Sequence, residues 1–398
     1  MKKIVSCVLA VVVLLSCLTM FASAATVEDE SIYKGLEGTS LNVYNWGEYI
    51  SKDDYDVIKE FEELTGIKVR YTMYDSNENM YNKLKGGGVS YDVIIPSDYM
   101  IERLIKEDML EKLDFSNIPN YKFISDDYKN LFFDPENQYS VPYNVGTVVL
   151  IYNKKVVTEK PTSWKILWDE KYKDQILMFD NPRDSFAIAQ AVLGQDFNTT
   201  DKADWEAAAN KLMEQKPLVQ SYVMDQVFSK MESGEAALAP YYAGDYETMV
   251  ANNPDLDFCI PEEGVNIFVD GMCIPKGSKN KKAAELFINF MLEKEVALAN
   301  AEAIGYASPN VTVKENSDYS LKDSEAVYPD FTQIKTQYFH NLPEETLTLM
   351  TNLWGDVKNK GSISIYLYIG FGVVGAAVIS FFVVKAVKKK KTSDKYDV

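Results

Sequence analysis

Carboxylates stand beside aromatic rings at several short, loop-like points of this chain: Trp46-Gly47-Glu48-Tyr49, Ser97-Asp98-Tyr99, Tyr241-Tyr242-Ala243-Gly244-Asp245 and Phe268-Val269-Asp270. Asp180 and Asp184, around Asn181-Pro182-Arg183, form a further acidic loop. The chemistry open to such pairs is capture of an organic cation. A carboxylate hydrogen-bonded to an ammonium contributes about 1.5–3 kcal/mol net. An aromatic face adds roughly 0.5–2 kcal/mol and covers the methylene groups between charges. Any one pair is more often an ordinary turn than a ligand contact, so the weight lies in their recurrence. Catalysis finds little here, and no catalytic residue is assigned. His340 is the one histidine, and no nucleophile motif, phosphate-cradling loop or metal-ligand spacing accompanies it, so neither a metal nor a cofactor is expected. An exported glycosidase, built on two of the many carboxylates, is a weaker alternative.

The elements that must carry these residues read as alternating strands and helices. Leu41–Tyr44 is a short strand, and Asp53–Leu64 a helix with Tyr55, Ile58, Phe61 and Leu64 at helical spacing and Gly66 beyond its end. Lys68–Tyr74 alternates as a strand, Asn77–Leu84 is a helix, and Tyr91–Ile95 a buried strand ended by Pro96-Ser97-Asp98. Further strands are predicted at Val148–Tyr152, Ile176–Phe179, Ala236–Ala239 and Phe268–Ile274, and a helix-like segment within Leu342–Ser362. The alternation predicts an α/β sheet with helices on its faces. Ligands of such sheets sit beyond the carboxyl ends of the strands, where the acidic-aromatic pairs fall.

Both ends of the chain differ from this middle. Lys2 and Lys3, an apolar run from Ile4 and Ala22-Ser23-Ala24 predict a signal peptide over residues 1–24, with Leu14-Leu15-Ser16-Cys17 as an alternative lipid-anchor signal. From Ile363 to Val384 there are 22 uncharged residues, enough for the roughly 20 that cross a bilayer as a helix. The basic tail 385–398 then predicts a cytoplasmic end, a stalk at 358–362 and a large domain outside, anchored in the cell membrane. The whole chain carries −18; leaving out Lys2, Lys3 and the tail, with its six lysines and two aspartates, puts −24 on the remainder. Such a surface repels nucleic acid and draws in cations. Cys259 and Cys273 read either as buried apolar side chains or as one disulfide.

The chain resembles the spermidine/putrescine-binding proteins of ABC importers, members of the periplasmic-type extracellular solute-binding family, over Gly38 to about Met350. The resemblance lies in Tyr44-Asn45-Trp46-Gly47-Glu48-Tyr49, in Ser76-Asn77-Glu78-Asn79-Met80-Tyr81-Asn82-Lys83-Leu84, and in Tyr91-Asp92-Val93 with Pro96-Ser97. It continues through Pro142-Tyr143-Asn144-Val145-Gly146 and Ile304-Gly305-Tyr306 with Pro309-Asn310. It implies an α/β two-lobe clamp with a hinge, here with one C-terminal transmembrane helix added. Lobe 1 would take 38–147 and 269–314, and lobe 2 148–268 and 315–357. Carried over by position, Trp46, Tyr49, Tyr99, Tyr242, Phe268 and Tyr306 would line the slot, beside Gly47 and Glu48 of the first motif. Asp270 would be the principal amine-binding carboxylate, Asp184 a second acid where Glu is usual, and Ser97 a hydroxyl ligand. Asn181 stands where spermidine binders have another carboxylate, Tyr242 where they have Trp, and His340 near a Gln position. Asp245 and Phe268 resemble the putrescine-preferring branch, and the charge missing at Asn181 favours a dication. The implied partners are a polyamine and an ABC importer permease. Related clamps that bind ferric iron or thiamine, and a surface receptor that reports polyamine without transport, are the alternatives.

Overall fold

The computed structural model describes residues 27–359 apart from Asp54 and Val89. Its strands are β1 Ser40–Trp46, β2 Lys68–Tyr74, β3 Val93–Ile94, β4 Ser140–Asn153, β5 Ile176–Phe179, β6 Val219–Val223, β7 Leu238–Tyr242, β8 Leu256–Cys259, β9 Val265–Cys273 and β10 Thr336–Gln337. β1 runs parallel to both β2 and β3, and β5 runs parallel to both β6 and β7. These are the cores of two lobes. Antiparallel β4 and β9 run through both and join them. The first part of β4, Ser140–Thr147, pairs with β9, and from Val148 it pairs with β7 and then β8. β9 touches lobe 1 through Cys273 and Ile94, while its other end pairs with β10 on the lobe 2 side.

Every residue of β4 and β9 is buried. A strand covered on both faces loses the apolar/polar alternation by which strands are read, which is why only Val148–Tyr152 is predicted from a 14-residue strand. Pro142 interrupts the pattern too; it cannot donate to the ladder and lies where the register slips between Pro142 and Asn144. The helix predicted to begin at Asp53 begins at Val57, because the Asp56 carboxylate accepts the Lys59 N–H at 3.0 Å, and Gly66 closes it with φ of 69°. In lobe 1, Phe61 packs edge-on against Phe287 at 5.1 Å. In lobe 2, Phe186 packs against Trp205 at 5.1 Å and also meets Trp354 of the helix over 344–359. Cys259 and Cys273 are both buried and free.

The expected architecture, a clamp with a transmembrane helix added, is corrected to the two-lobe α/β clamp. Among the described residues no helix is long and apolar enough to cross a membrane. The helix over 344–359 is instead docked on lobe 2, where Lys216 reaches the Val357 carbonyl at 2.8 Å and Lys358 pairs with Asp180 at 2.6 Å. The stretch Ile363–Val384, the tail 385–398 and the leader 1–24 lie outside the described residues. The membrane contact expected through that stretch therefore has no support in the fold.

Candidate functional site

Between the lobes lies a cleft of about 760 Å³, open to solvent. Its walls come mainly from chain just past strand ends: Trp46–Tyr49 after β1, Asp75 and Asn77 after β2, Ser97–Tyr99 after β3, Asn181 and Asp184 after β5, Met224, Asp225 and Phe228 after β6, and Tyr242 and Asp245 at the end of β7. Phe268 and Asp270 project from β9 itself, and Tyr306 follows the helix Lys294–Ile304. Both parallel sheets thus aim their carboxyl ends at one slot, as open α/β sheets do.

Local sequence fixes each group. Asn181 caps the helix Pro182–Leu193, accepting the Arg183 N–H at 2.9 Å, with Pro182 at the first helical position. Asp184 is thereby held in the first turn, where a carboxylate is favoured by the helix dipole. Asp245 sits likewise in the first turn of the helix Ala243–Asn252. Gly244 beside it has a packing reason: a Cβ there would lie 2.1 Å from Tyr306 Cδ2. Gly47 likewise allows a close approach of the lobes, since a Cβ there would meet Asp225 Oδ2 at 2.6 Å.

Seven of the lining side chains are carboxylic acids and none is basic. Asp270 is buried on β9. Tyr49 Oη donates to its Oδ2 at 2.6 Å and Ser97 also bonds it, while Oδ1 is buried without a partner. Burial drives its carboxyl up to about 6 against those two bonds. Tyr242 Oη donates to Asp184 Oδ2 at 2.9 Å, and burial drives Asp184 up to about 7. Asp245, bonded by Tyr306, and fully buried Asp98, bonded by the backbone N–H groups of Tyr99 and Val269, are raised in the same direction by burial. Asp225 is raised too, first by burial and then by Glu48 and Asp75 across the mouth. Holding Asp270 and Asp184 ionised without a counter-charge costs on the order of 3 and 4 kcal/mol. A cation placed among them removes that cost.

The aromatic rings line the cleft in two groups. Tyr306 meets Tyr49 edge-on at 5.3 Å and Phe268 at 6.2 Å, and Phe268 meets Tyr242 at 5.6 Å. Trp46 leans on Tyr74 at 4.7 Å and donates its indole N–H to the Ile95 carbonyl. Such a lining suits a flexible alkyl chain carrying charges at intervals.

Of the residues singled out in the sequence, fifteen line this cleft: Trp46, Gly47, Glu48, Tyr49, Ser97, Asp98, Tyr99, Asn181, Asp184, Tyr241, Tyr242, Asp245, Phe268, Asp270 and Tyr306. His340 does not. Its ring lies 4.3 Å from Phe132 and 3.7 Å from Glu102, half-exposed on the outer side, while the neighbouring Phe339 faces the cleft. Asp180 also points away, to Lys358. Sequence reasoning missed Tyr74, Asp75, Asn77, Met224, Asp225, Phe228, Asn266 and Phe339 as cleft residues. Asp75 and Asp225 follow the same strand-exit rule as the others; Asp225 was lost because β6 carries Gln220 and Ser221 and reads as polar.

The family model described as bacterial extracellular solute-binding protein matches residues 56–327. The chain is a bacterial extracellular solute-binding protein. This solute-binding protein is 35% identical over 307 residues to the spermidine/putrescine-binding periplasmic protein of Escherichia coli, covering 77% of this chain and 87% of that one. It is 30% identical over 332 residues to the putrescine/cadaverine-binding protein of Pseudomonas aeruginosa, covering 80% and 93%. Among solved structures it is similar to the spermidine/putrescine ABC transporter substrate-binding protein PotD of Streptococcus pneumoniae, with a TM-score of 0.68, 36% identity, and coverage of 80% of this chain and 98% of that one.

Proposed function

We propose that this solute-binding protein captures a linear polyamine outside the cytoplasm and delivers it to the permease of an ABC importer. The observation that carries this reading is the cleft lining: seven acids, no base, and aromatic rings from both lobes. An elongated polycation is the ligand class that such a lining desolvates least wastefully. The relatives named for spermidine, putrescine and cadaverine support the same choice.

In the proposed mechanism one ammonium takes the open Oδ1 of Asp270 and the other reaches Asp184 or Asp245. Trp46, Tyr242, Phe268 and Tyr306 cover the methylene chain. The lobes then close about β4 and β9, the hinge motion usual for such clamps. Asn181 supplies a neutral cap where a further carboxylate would favour a third ammonium, so putrescine is the preferred ligand and spermidine the next. Calorimetric titration of the purified protein with putrescine, spermidine, ferric citrate and thiamine tests this. Heat with the polyamines alone is expected; heat with ferric citrate or thiamine alone overturns it.

A further inference from the structure

The polyamine reading leaves one buried cation without a task. Arg183 lies in lobe 2 at the start of the helix Pro182–Leu193 and is 2% exposed. Its Nη2 donates to Asn198 Oδ1 at 2.8 Å and to the His340 carbonyl at 3.3 Å, both in the same lobe. Its Nε and Nη1 are buried and have no acceptor. The guanidinium packs 4.6 Å over the Phe339 ring and 5.9 Å from the ring of Tyr99, which belongs to lobe 1. Tyr99 Oη donates in turn to Glu78 Oε1 at 3.0 Å, while Glu78 Oε2 is buried with no donor. Open donors on one lobe and an open acceptor on the other are thus separated by a single tyrosine.

The other acids near Arg183 are already engaged. Both oxygens of Asp98 accept backbone N–H groups, and Asp184 is held by Tyr242 in the cleft wall. We propose that Arg183 is an interlobe latch: when the lobes close on ligand, its Nε–Nη1 edge takes up Glu78 Oε2. A planar guanidinium edge suits a carboxylate, and the charge-assisted bond is short and directional. A contact made only in the closed form shifts the clamp toward closure and so tightens ligand without touching it. Arg183 is then a positioning residue rather than a ligand contact.

This inference rests on the polyamine reading, and one set of titrations separates the two. Putrescine is titrated into the wild-type protein, Arg183→Gln, Glu78→Gln, the double variant and Arg183→Lys, with ligand-induced compaction followed by small-angle scattering. Each glutamine variant is expected to bind about tenfold more weakly and to compact less, the double variant no more weakly than either alone, and the lysine variant to recover part of the loss. Wild-type affinity and compaction in the single variants, or losses that multiply in the double, overturn the latch. If Arg183→Gln does not fold, Glu78→Gln decides: undiminished affinity there rejects the latch. A wild-type protein that ignores putrescine rejects the polyamine reading instead.

Discussion

Acidification should unload the clamp, and the size of the effect follows from two carboxyls. Burial raises Asp270 to about 6 and Asp184 to about 7. Both are essentially ionised at pH 8. At pH 5 roughly one Asp270 in ten and one Asp184 in a hundred is ionised, so a ligand that needs both binds on the order of a thousandfold more weakly. At pH 6 ligand binding should expel about one and a half protons. The stability of the empty protein runs the opposite way. Because both groups are raised in the folded state, the stability they contribute is full below about pH 4 and is lost as pH rises through about 6 and 7. Bound putrescine reverses that loss, so its thermal shift grows from pH 5 to pH 8. Calorimetry at pH 5, 6, 7 and 8, in paired buffers of different ionisation enthalpy, measures affinity and proton release together. An affinity flat within about twofold across this range, with buffer-independent heat, would refute the assignment of these two acids to the amine.

Four substitutions extend the test. Asp270→Asn keeps an acceptor for Tyr49 but removes the charge, so putrescine should bind at least about tenfold more weakly while the melting temperature of the empty protein at pH 8 holds or rises. Tyr242→Phe leaves Asp184 without its hydroxyl donor; the pH at which binding is half lost should move upward. Asn181→Asp preserves the helix cap, since Asp caps as well as Asn, and should raise the spermidine-to-putrescine affinity ratio by about tenfold. Gly244→Ala drives a methyl into the Tyr306 ring. It should cost about 1–3 kcal/mol of stability and weaken ligand together, both read from thermal melts with and without putrescine.

The sequence made the site more legible than the framework that joins it. Acidic-aromatic pairs at strand exits are local features, and the parallel strands β1, β2 and β5 carry clear turn or helix signals after them. The predicted limits of Lys68–Tyr74 and Ile176–Phe179 match the strands for that reason. Those of β4 and β9 do not, because strands buried on both faces have no period, and Pro142 at a bulge looks like a break. Their partnership is a long-range fact that spacing does not encode. Arg183 is not legible inside its own acidic loop: a charged residue between Pro182 and Asp184 reads as solvated, and only packing against Phe339 and Tyr99 reveals that it is buried. His340 shows the reverse error. An alignment one residue out would exchange it for Phe339, which does face the cleft.

A crystal structure of the protein grown with putrescine bears most directly on the account. It should place one ammonium in hydrogen-bonding reach of Asp270 Oδ1, the other near Asp184 or Asp245, and the four carbons between the rings of Trp46, Tyr242, Phe268 and Tyr306. A diamine bound elsewhere, or a cleft that closes without one, would contradict it.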